Sequence, residues 1–318
     1  MSAPEPPTPA PEREAAPLAA FHAGEVALQR AAGSAARLAR VGAQIMRPSL
    51  TEQQRAFFPL LPFVVVGSLD SRGWPVASLL AGPPGFVSSP EPQTVRVSAR
   101  APFGDPLAES LAPGAPLGLL GIQPHTRRRN RVNGRVLLCD GEGFTLGVAQ
   151  SFGNCPKYIT ARELAYAGAP EPDAPSLADT LGSAQRALLE RADTFFIASA
   201  HPDAAGSPQA AHGVDVSHRG GPAGFIHFID DATFIIPDLR GNDFYNTLGN
   251  LQLMPRAGLF FIDFERRDLL SLDVIAELLA GPHPLDPVAA TGRIVRFQIQ
   301  RARLLRGAAA LRVVGAGE

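Results

Sequence analysis

The sequence predicts a mainly β protein that is built from two tandem small antiparallel barrels with peripheral helices. Short runs rich in β-branched and aromatic residues recur along the chain, and Gly-containing turns separate them. The second half of the chain repeats the landmarks of the first half in the same order. A repeat of this length indicates two copies of one domain rather than a solenoid of short units.

The composition divides the chain into four segments. Residues 1–17 are rich in Pro, Ala and Glu, which predicts a disordered tail because they bury too little apolar surface to offset chain entropy. Residues 18–165 are predicted to contain a leading helix, over 18–46, and the first barrel. Residues 166–180 are again rich in Pro and Ala and indicate a linker, and residues 181–318 are expected to form the second barrel.

Each barrel begins with a predicted hairpin. In the first barrel, the apolar run 63–66 is followed by a turn and a second apolar run, and further strands are predicted at 94–100, at 116–122, and in GRVLLCD and GFTLGVA. The second barrel follows a short helix and repeats this order. It includes a hairpin that turns at Asp230 and Asp231, and it ends with strands in GLFFIDF and RIVRFQIQRARLL.

Four pairs of segments carry the repeat. They match FVVVGS with FFIAS, GPPGFV with GGPAGFI, PLGLLGI with RAGLFFI, and NGRV (133–136) with TGRI (291–294). Each pair is expected to occupy the same place in its own barrel.

Composition and charge exclude several functional classes. The chain has 318 residues, of which 45% are hydrophobic and 19% are charged, and its net charge is -1. These values are typical of a soluble globular protein, and they argue against a general nucleic-acid-binding protein. Cys139 and Cys155 have no partner at the spacing of a zinc site or a disulfide framework. The sequence shows neither a membrane span nor a signal peptide, so a cytoplasmic protein is expected.

A row of amides follows an Arg-Gly pair in the segment PDLRGNDFYNTLGNLQ. Asn242, Asn246 and Asn250 are four residues apart, so a helix would place them on one slowly drifting stripe. Asn242 or Asp243 is expected to cap this helix. The stripe is either a solvated amide face or the wall of an anion site at the helix start.

Three segments, DVSHRGGPAGF, FIIPDLRGNDFYNTLGNL and PRAGLFFIDF, together resemble the pyridoxamine 5'-phosphate oxidase-like superfamily of FMN-binding split barrels. FHAGE, GDPLA, TRRRNRVNG and SFGNCPKYI resemble a subgroup with two such barrels in tandem, some of whose members are fused to a flavin reductase and a ferredoxin module. The resemblance implies a homodimer that holds FMN near its interface. Any reductase would have to be a separate protein.

The resemblance implies that the FMN phosphate lies between the end of a strand and the start of the helix that follows the hairpin. An Arg side chain offers phosphate a two-pronged contact, and a helix start adds backbone donors and a favourable dipole. The residues in these places are His218, Arg219, Gly220, Arg240, Gly241, Asn242, Asn246 and Thr247. The sequence identifies no catalytic acid or base, and no metal site is expected.

This chain departs from the better known oxidases of the superfamily. Those enzymes have a Lys near the end of the strand and an Arg-Lys pair at the helix start, where this chain has Asn246 and Thr247. The residues with which vitamin B6 oxidases bind substrate have no counterpart, so pyridoxamine phosphate is not the expected substrate. In the first barrel LLAGPPGFV has no basic residue where the second barrel has Arg219, the basic anchor of the predicted phosphate site. This difference predicts that the first barrel is a structural copy, although Arg100 and Asp105 leave a weak second site open.

Two further features have alternative interpretations. A basic group formed by Arg127, Arg128, Arg129 and Arg131 is placed between two predicted strands. It is either a solvated hairpin loop or a group that reaches the other half's cofactor or binds an anionic substrate or redox partner. Cys155 is either a thiolate of lowered pKa or part of a tight turn, and the turn is favoured because no partner residue can be assigned.

The sequence therefore predicts an FMN-binding flavoprotein, an oxidoreductase acting on an unidentified small molecule. No G-x-G-x-x-G motif follows a strand, so the electron donor is expected to be free NAD(P)H, free reduced flavin or a partner reductase. The alternative is a non-enzymatic module that binds flavin or haem and serves a separate reductase. His212 and His227, both in predicted strands, and His218 would then be the candidate haem ligands. A deazaflavin in place of FMN is also left open.

Overall fold

The computed structural model describes residues 20–168, 174–281 and 291–315. The tail predicted at residues 1–17 lies outside these ranges. Strands predominate in the described chain and form two large antiparallel sheets and one small two-stranded sheet. None of the described helices is long and apolar enough to cross a membrane.

The first half contains a seven-stranded sheet, which three helices precede. The strands have the order β2-β1-β5-β6-β7-β4-β3. The elements are α1 (Ala23–Ala31), α2 (Ala35–Ile45), α3 (Glu52–Phe57), β1 (Phe63–Leu69), β2 (Pro75–Ala81), β3 (Val87–Ser88), β4 (Thr94–Val97), α4 (Leu107–Ser110), β5 (Pro116–Gln123), β6 (Arg128–Asp140), β7 (Gly143–Gly153) and β8 (Leu164–Tyr166).

The second half contains an eight-stranded sheet, whose main path has the order β11-β10-β14-β15-β16-β13-β12. The strand β9 adds to β16, and β17 pairs with β8 of the first half. The elements are β9 (Ser176–Ala178), α5 (Ser183–Arg191), β10 (Thr194–Ala200), β11 (Val214–Gly220), β12 (His227–Phe228), β13 (Thr233–Pro237), α6 (Asn246–Leu253), β14 (Arg256–Asp263), β15 (Asp268–Ala280), β16 (Arg293–Leu305) and β17 (Leu311–Val313).

The two sheets have the same strand order once β1 to β7 are replaced by β10, β11, β12, β13, β14, β15 and β16. The registers agree residue by residue. Gly67 faces Gly118 in the first sheet, and Ala198 faces Gly258 at the matching point of the second. Neither sheet closes into a complete ring of paired strands within the described residues. The predicted fold class, mainly β with two tandem split barrels, is confirmed in this open form.

The two halves pack through their first hairpins. A shared apolar cluster joins Val65 and Leu79 of the first half to Phe196 and Phe260 of the second. The contact is close because glycine stands at matching points of both sheets. A Cβ on Gly258 would lie 2.2 Å from the carbonyl oxygen of Pro75, and the symmetric contact joins Gly118 to Val214. The chain therefore forms an internal pseudo-dimer of two similar halves.

The predicted leading helix over 18–46 is wrong as a single element. The chain forms α1 and α2 instead, and Gly33 adopts a left-handed conformation with a φ of 70° between them. A glycine in this conformation is a common way to end a helix. The amide of Ser34 donates to the carbonyl of Gln29, which satisfies one of the last carbonyls of α1.

Two further predictions need correction. The match of NGRV with TGRI is wrong, because Arg293 begins β16, the counterpart of β7, whereas Asn133 corresponds by register to Asp273. Both strands carry an irregularity at that point. The predicted linker, 166–180, contains β9, which pairs with β16, and residues 169–173 of that linker lie outside the described chain.

Candidate functional site

One cavity of about 430 Å³ lies beside the end of β11 and the start of α6. The sequence had placed eight candidate residues near these two elements. All of them line this cavity: His218, Arg219, Gly220, Arg240, Gly241, Asn242, Asn246 and Thr247. Asp238 and Leu239, which directly follow β13, form a further part of the wall.

The first half of the chain supplies another wall of the same cavity. Arg129 and Arg131 come from β6, and Asn154, Cys155 and Lys157 follow β7. These residues belong to the two motifs TRRRNRVNG and SFGNCPKYI, whose roles could not be assigned from the sequence. The cavity is thus built from both halves of one chain.

The basic group is not a hairpin loop. Arg127, with a φ of 54°, ends a short turn, and β6 begins at the next residue. Successive side chains of a strand point to opposite faces, which separates the arginines. Arg129 and Arg131 line the cavity, whereas the guanidinium of Arg128 lies 5.0 Å from the ring centre of Phe57. The interpretation that part of the group reaches the other half agrees with this placement.

Arg131 is the centre of a buried network between the halves. Its Nη1 lies 2.7 Å from Oδ1 of Asp215, and both side chains are almost fully buried. Nη1 also donates to Oδ1 of Asn246 over 3.2 Å, and Nη2 donates to the hydroxyl of Ser217. Thr247 donates to that same hydroxyl over 2.9 Å. The network fixes the start of α6 against β11 and β6.

Among the described residues, four other cations of the cavity have no carboxylate partner, whereas Arg293 pairs with Asp238. The side chains of Arg219, Lys157 and Arg240 make no hydrogen bond or ion pair with any described residue. Arg129 donates to the carbonyl of Cys155 over 2.9 Å, but no carboxylate pairs with it. Burial and the neighbouring guanidinium groups of Arg131 and Arg219 lower the pKa of Arg129 to about 10. The cavity therefore has an excess of positive charge that an anion would neutralise.

His218 is buried beside these arginines. Burial, reinforced by the charges of Arg129 and Arg219, lowers its pKa well below the ordinary value, so the imidazole is neutral. Its Nδ1 lies 3.2 Å from Nη1 of Arg129 and accepts a hydrogen bond from it. A neutral His218 can hold Arg129 in place without adding to the positive charge.

The predicted cap of the helix is wrong. The helix α6 begins at Asn246, after Tyr245, and no side chain caps it. Asn242 instead accepts a hydrogen bond from the amide of Phe244 over 3.2 Å. Asp243 and Tyr245 both have positive φ, an uncommon conformation for residues other than glycine. The turn leaves the first helical residues, which line the cavity, without a side-chain acceptor.

Only one amide of the predicted stripe lies in both the helix and the cavity wall. Asn246 lines the cavity, whereas Asn250 lies in the interior and donates to the hydroxyl of Ser199 over 3.1 Å. Asn242 reaches the cavity from the turn outside the helix. The anion-site interpretation therefore applies to Asn242 and Asn246 and not to the whole stripe.

Several cavity residues were not assigned from the sequence. Asp238 pairs with Arg293 over 3.0 Å, and the guanidinium of Arg293 lies 5.0 Å from the ring centre of Tyr245. Tyr158 donates to the carbonyl of Arg240 over 3.1 Å and so joins the two halves at the cavity edge. Tyr158 could have been found from its motif, but nothing local marks Arg293, which begins an ordinary strand.

The matching place in the first half carries no charge. By register, Leu79 and Leu80 stand where the second half has His218 and Arg219. Of the two residues that left a second site open, Arg100 lies at the surface 3.6 Å from a carboxylate of Glu142. The other, Asp105, is buried and accepts a hydrogen bond from Ser78 over 2.6 Å. The basic anchor is absent here, as its sequence indicates.

Glu25 is a buried carboxyl behind the cavity. It accepts hydrogen bonds from the side chain of Asn246 and, over 2.8 Å, from the amide of His22. Burial raises the pKa of Glu25 to about 8, and the nearby Asp215 adds to the increase. The carboxyl is therefore protonated in the folded protein at neutral pH, although it ionises on unfolding.

The raised pKa of Glu25 predicts a loss of stability with increasing pH. The folded state holds a proton that the unfolded state releases, so the free energy of unfolding should decrease between about pH 5 and pH 8. The decrease attributable to Glu25 over these three pH units is at most about 4 kcal/mol. Urea unfolding at several pH values should show that the free energy of unfolding decreases less steeply with pH in Glu25→Gln than in the wild type. The control is Glu52→Gln, at an exposed carboxylate, which should keep the wild-type slope. Equal slopes for wild type and Glu25→Gln would contradict the prediction.

Comparison with known proteins gives similar structures only. No protein-family model and no curated protein sequence matches the chain. A putative pyridoxamine 5'-phosphate oxidase from Lactobacillus delbrueckii is 15% identical with a TM-score of 0.28, over 39% of this chain and 94% of its own. The haem storage protein HutZ from Vibrio cholerae is 14% identical with a TM-score of 0.28, over 41% of this chain and 97% of its own.

An FAD-binding protein from Mesorhizobium loti is 13% identical with a TM-score of 0.27, over 41% of this chain and 97% of its own. We draw no functional conclusion from similarities at this level, and the fold assignment depends on the strand order and registers described above. A protein from Clostridium acetobutylicum described as of the pyridoxinephosphate oxidase family is 10% identical with a TM-score of 0.29, over 42% of this chain and 92% of its own.

Proposed function

We propose that the cavity binds a flavin nucleotide of the FMN type, with Arg219 and Arg129 at its phosphate. The observation that carries this proposal is the half-buried pair of guanidinium side chains of Arg129 and Arg219, which have no carboxylate partner among the described residues and lie next to an uncapped helix start. Unpaired cations in a partly buried site are unfavourable unless an anion joins them. Guanidinium groups and helix amides are the donors that phosphate prefers.

The size and lining of the cavity fit such a ligand. A volume of about 430 Å³ is within the range of cofactor sites, which is roughly 300–1,000 Å³. Tyr158, Tyr245 and Thr291 also line the cavity. This chain has Asn246 and Thr247 where the better known oxidases have a basic pair at the helix start. Arg129 from the first half would supply positive charge to the phosphate in place of that pair.

A bound flavin would supply hydride or electron transfer, and the protein would supply placement and electrostatics. Arg219 and Arg129 would bind the phosphate, His218 would hold Arg129, and the Arg131 network would fix the helix start. We propose one site per chain, because the first half lacks the basic anchor. Residues of both halves line this site within one chain. The homodimer that the resemblance implies stays a prediction.

We further propose that the protein is an oxidoreductase that takes electrons from an external donor and acts on a small molecule. The first experiment is an absorption titration of the full chain with FMN, with removal of excess ligand. We expect one FMN per chain and weaker binding of riboflavin, which lacks the phosphate. Faster NAD(P)H oxidation than free FMN supports would indicate an enzyme, whereas binding without turnover would indicate the alternative, a carrier serving a reductase.

Arg219→Ala should weaken FMN binding by about 10- to 100-fold, the value of one charge-assisted hydrogen-bonding group. The same variant should bind riboflavin almost as the wild type does, because riboflavin offers no phosphate. Arg306→Ala, at an exposed arginine outside the cavity, is the matched control and should bind FMN normally. An unchanged FMN affinity in Arg219→Ala would overturn the phosphate assignment, and a Soret band after addition of haem would favour the haem-binding alternative.

A further inference from the structure

The connection between β10 and β11, residues 201–213, differs from its counterpart in the first half. There the chain turns within residues 70–74, whereas here it forms a longer loop. Arg135 holds the loop by donating to the carbonyls of Ala204 over 2.8 Å and of Ser207 over 2.6 Å. The loop is thus fixed by the first half and is not a simple exposed extension.

Two histidines stand at the two ends of this loop. His201 and His212 stack with their ring centres 3.7 Å apart and their planes 9° from parallel. The sequence had placed His212 in a strand, which is wrong, because it lies in the loop before β11. One possible ligand atom from each of His201, His212 and Asp203 lies within 4.8 Å of the other two. Two imidazoles and a carboxylate therefore converge at the base of the loop.

We propose that His201, Asp203 and His212 form a binding site for a divalent transition-metal ion of the zinc type. Imidazole nitrogen and carboxylate oxygen are ordinary zinc ligands, with metal–ligand distances of about 2.0–2.2 Å. Tetrahedral coordination at such distances separates neighbouring ligand atoms by about 3.3 Å, so the present spacing requires a contraction of up to about 1.5 Å. Because the two rings now stack nearly parallel, one of them must also rotate so that both nitrogen lone pairs point at the same ion. Three protein ligands would leave one position for water.

The contacts around the cluster permit this contraction. Nδ1 of His201 lies 3.8 Å from Oδ2 of Asp203 and accepts a hydrogen bond from the amide of Asp203 over 3.1 Å. A metal at this nitrogen would replace that single bond. The Asp203 side chain is largely exposed and free to turn toward the ion. Ser207 lies 3.1 Å from Nδ1 of His212 and orients that ring, as the neighbours of metal-binding histidines do.

One more imidazole and one guanidinium lie next to the cluster. His22, the residue before α1, packs edge-on against His201 with ring centres 5.1 Å apart, so the inner side of the site is another imidazole. The positive charge of Arg135 is directed at loop carbonyls. The cluster does not line the flavin cavity, so the proposed metal site is separate from the proposed function.

The test uses the untagged full chain after treatment with a chelator. Addition of Co²⁺ should give visible absorption bands that saturate at one ion per chain, and Zn²⁺ should remove them. His212→Ala should bind Co²⁺ at least tenfold more weakly, and Asp203→Asn should also weaken binding. His125→Ala, at an exposed histidine outside the cluster, should bind as the wild type does.

The variants also separate this site from the flavin site. FMN affinity should be unchanged in Asp203→Asn, so failure of FMN binding in the wild type would not affect the metal result. A wild-type chain that binds neither ion would overturn the proposal, as would a His212→Ala chain that binds Co²⁺ with wild-type affinity. Should His212→Ala fail to fold, Asp203→Asn decides, because Asp203 is exposed and its replacement leaves the packed rings in place.

Discussion

Replacement of Gly258 by valine should separate the two halves of the chain and abolish FMN binding in the same step. Gly258 lies in β14, against the backbone of β2. A Cβ there would lie 2.2 Å from the carbonyl oxygen of Pro75 and 2.9 Å from the Cα of Val76. Both are backbone atoms of a buried strand, so no side chain can turn away to make room. The sheets must move apart instead.

The expected loss is about 3 kcal/mol or more in the free energy of unfolding, at the upper end of the range for overpacked interiors. FMN binding should be lost as well, because Arg129 and Arg131 reach the cavity only while the halves are docked. Urea unfolding and an FMN titration measure the two effects. Gly315→Val, at a glycine with open space around it, is the matched control and should change neither.

A second variant tests whether the effect belongs to the interface. Gly118 occupies the matching place in β5, and a Cβ there would lie 2.7 Å from the carbonyl oxygen of Val214. Gly118→Val should therefore produce the same two losses, although its contact is less severe. If Gly258→Val unfolded like the wild type and bound FMN normally, the docked arrangement of the halves would be wrong.

The positions of the strands along the chain could be predicted from the sequence because their signals are local. Short β-branched runs and the Gly turns between them determine where strands begin and end. The landmarks GPPGFV and GGPAGFI show this. In each, a glycine packs on a phenylalanine of the same turn, Gly82 on Phe86 and Gly221 on Phe225. The same reasoning failed for NGRV and TGRI. The first motif lies in β6 and the second lies at the start of β16, and the counterpart of β6 is β15.

The walls of the cavity could be predicted only in part. His218 and Arg219 lie near the end of β11, which pairs with the strand before it in the chain, so their position followed from local pattern and family resemblance. Arg131 lies 84 residues from Asp215 in the chain, and nothing local shows that the two will meet. The start of α6 was misplaced for a different reason. Asn242 is a good capping residue, but here it closes a turn before the helix begins.

Replacement of Arg131 by methionine should lower the free energy of unfolding by about 3–5 kcal/mol, because it leaves the carboxylate of Asp215 buried without its cation. The hydroxyl of Ser217 and the amide oxygen of Asn246 would lose a donor in the same change. Methionine keeps an apolar stem of similar length, and it removes the guanidinium charge, which lies 5.2 Å from the ring centre of Phe152. The loss should therefore report the charge and the hydrogen bonds more than packing.

The double variant Arg131→Met with Asp215→Leu separates stability from binding. Removing both charges of a buried pair in favour of apolar side chains is often neutral or stabilising, so the double variant should recover most of the stability lost in Arg131→Met. Its FMN affinity should not recover, because the cation that fixes Asn246 at the helix start is still absent. Urea unfolding and FMN titration of the wild type, both single variants and the double variant complete the cycle.

The cycle distinguishes two roles for this ion pair. If the double variant regained both stability and FMN affinity, Arg131 would be a structural partner of Asp215 and Arg219 would bind the phosphate without it. If it regained stability alone, Arg131 would be required to position the helix start for the ligand. The second outcome is expected, because Arg131 contacts Asn246 as well as Asp215, and only the contact with Asp215 becomes dispensable when the carboxylate is removed.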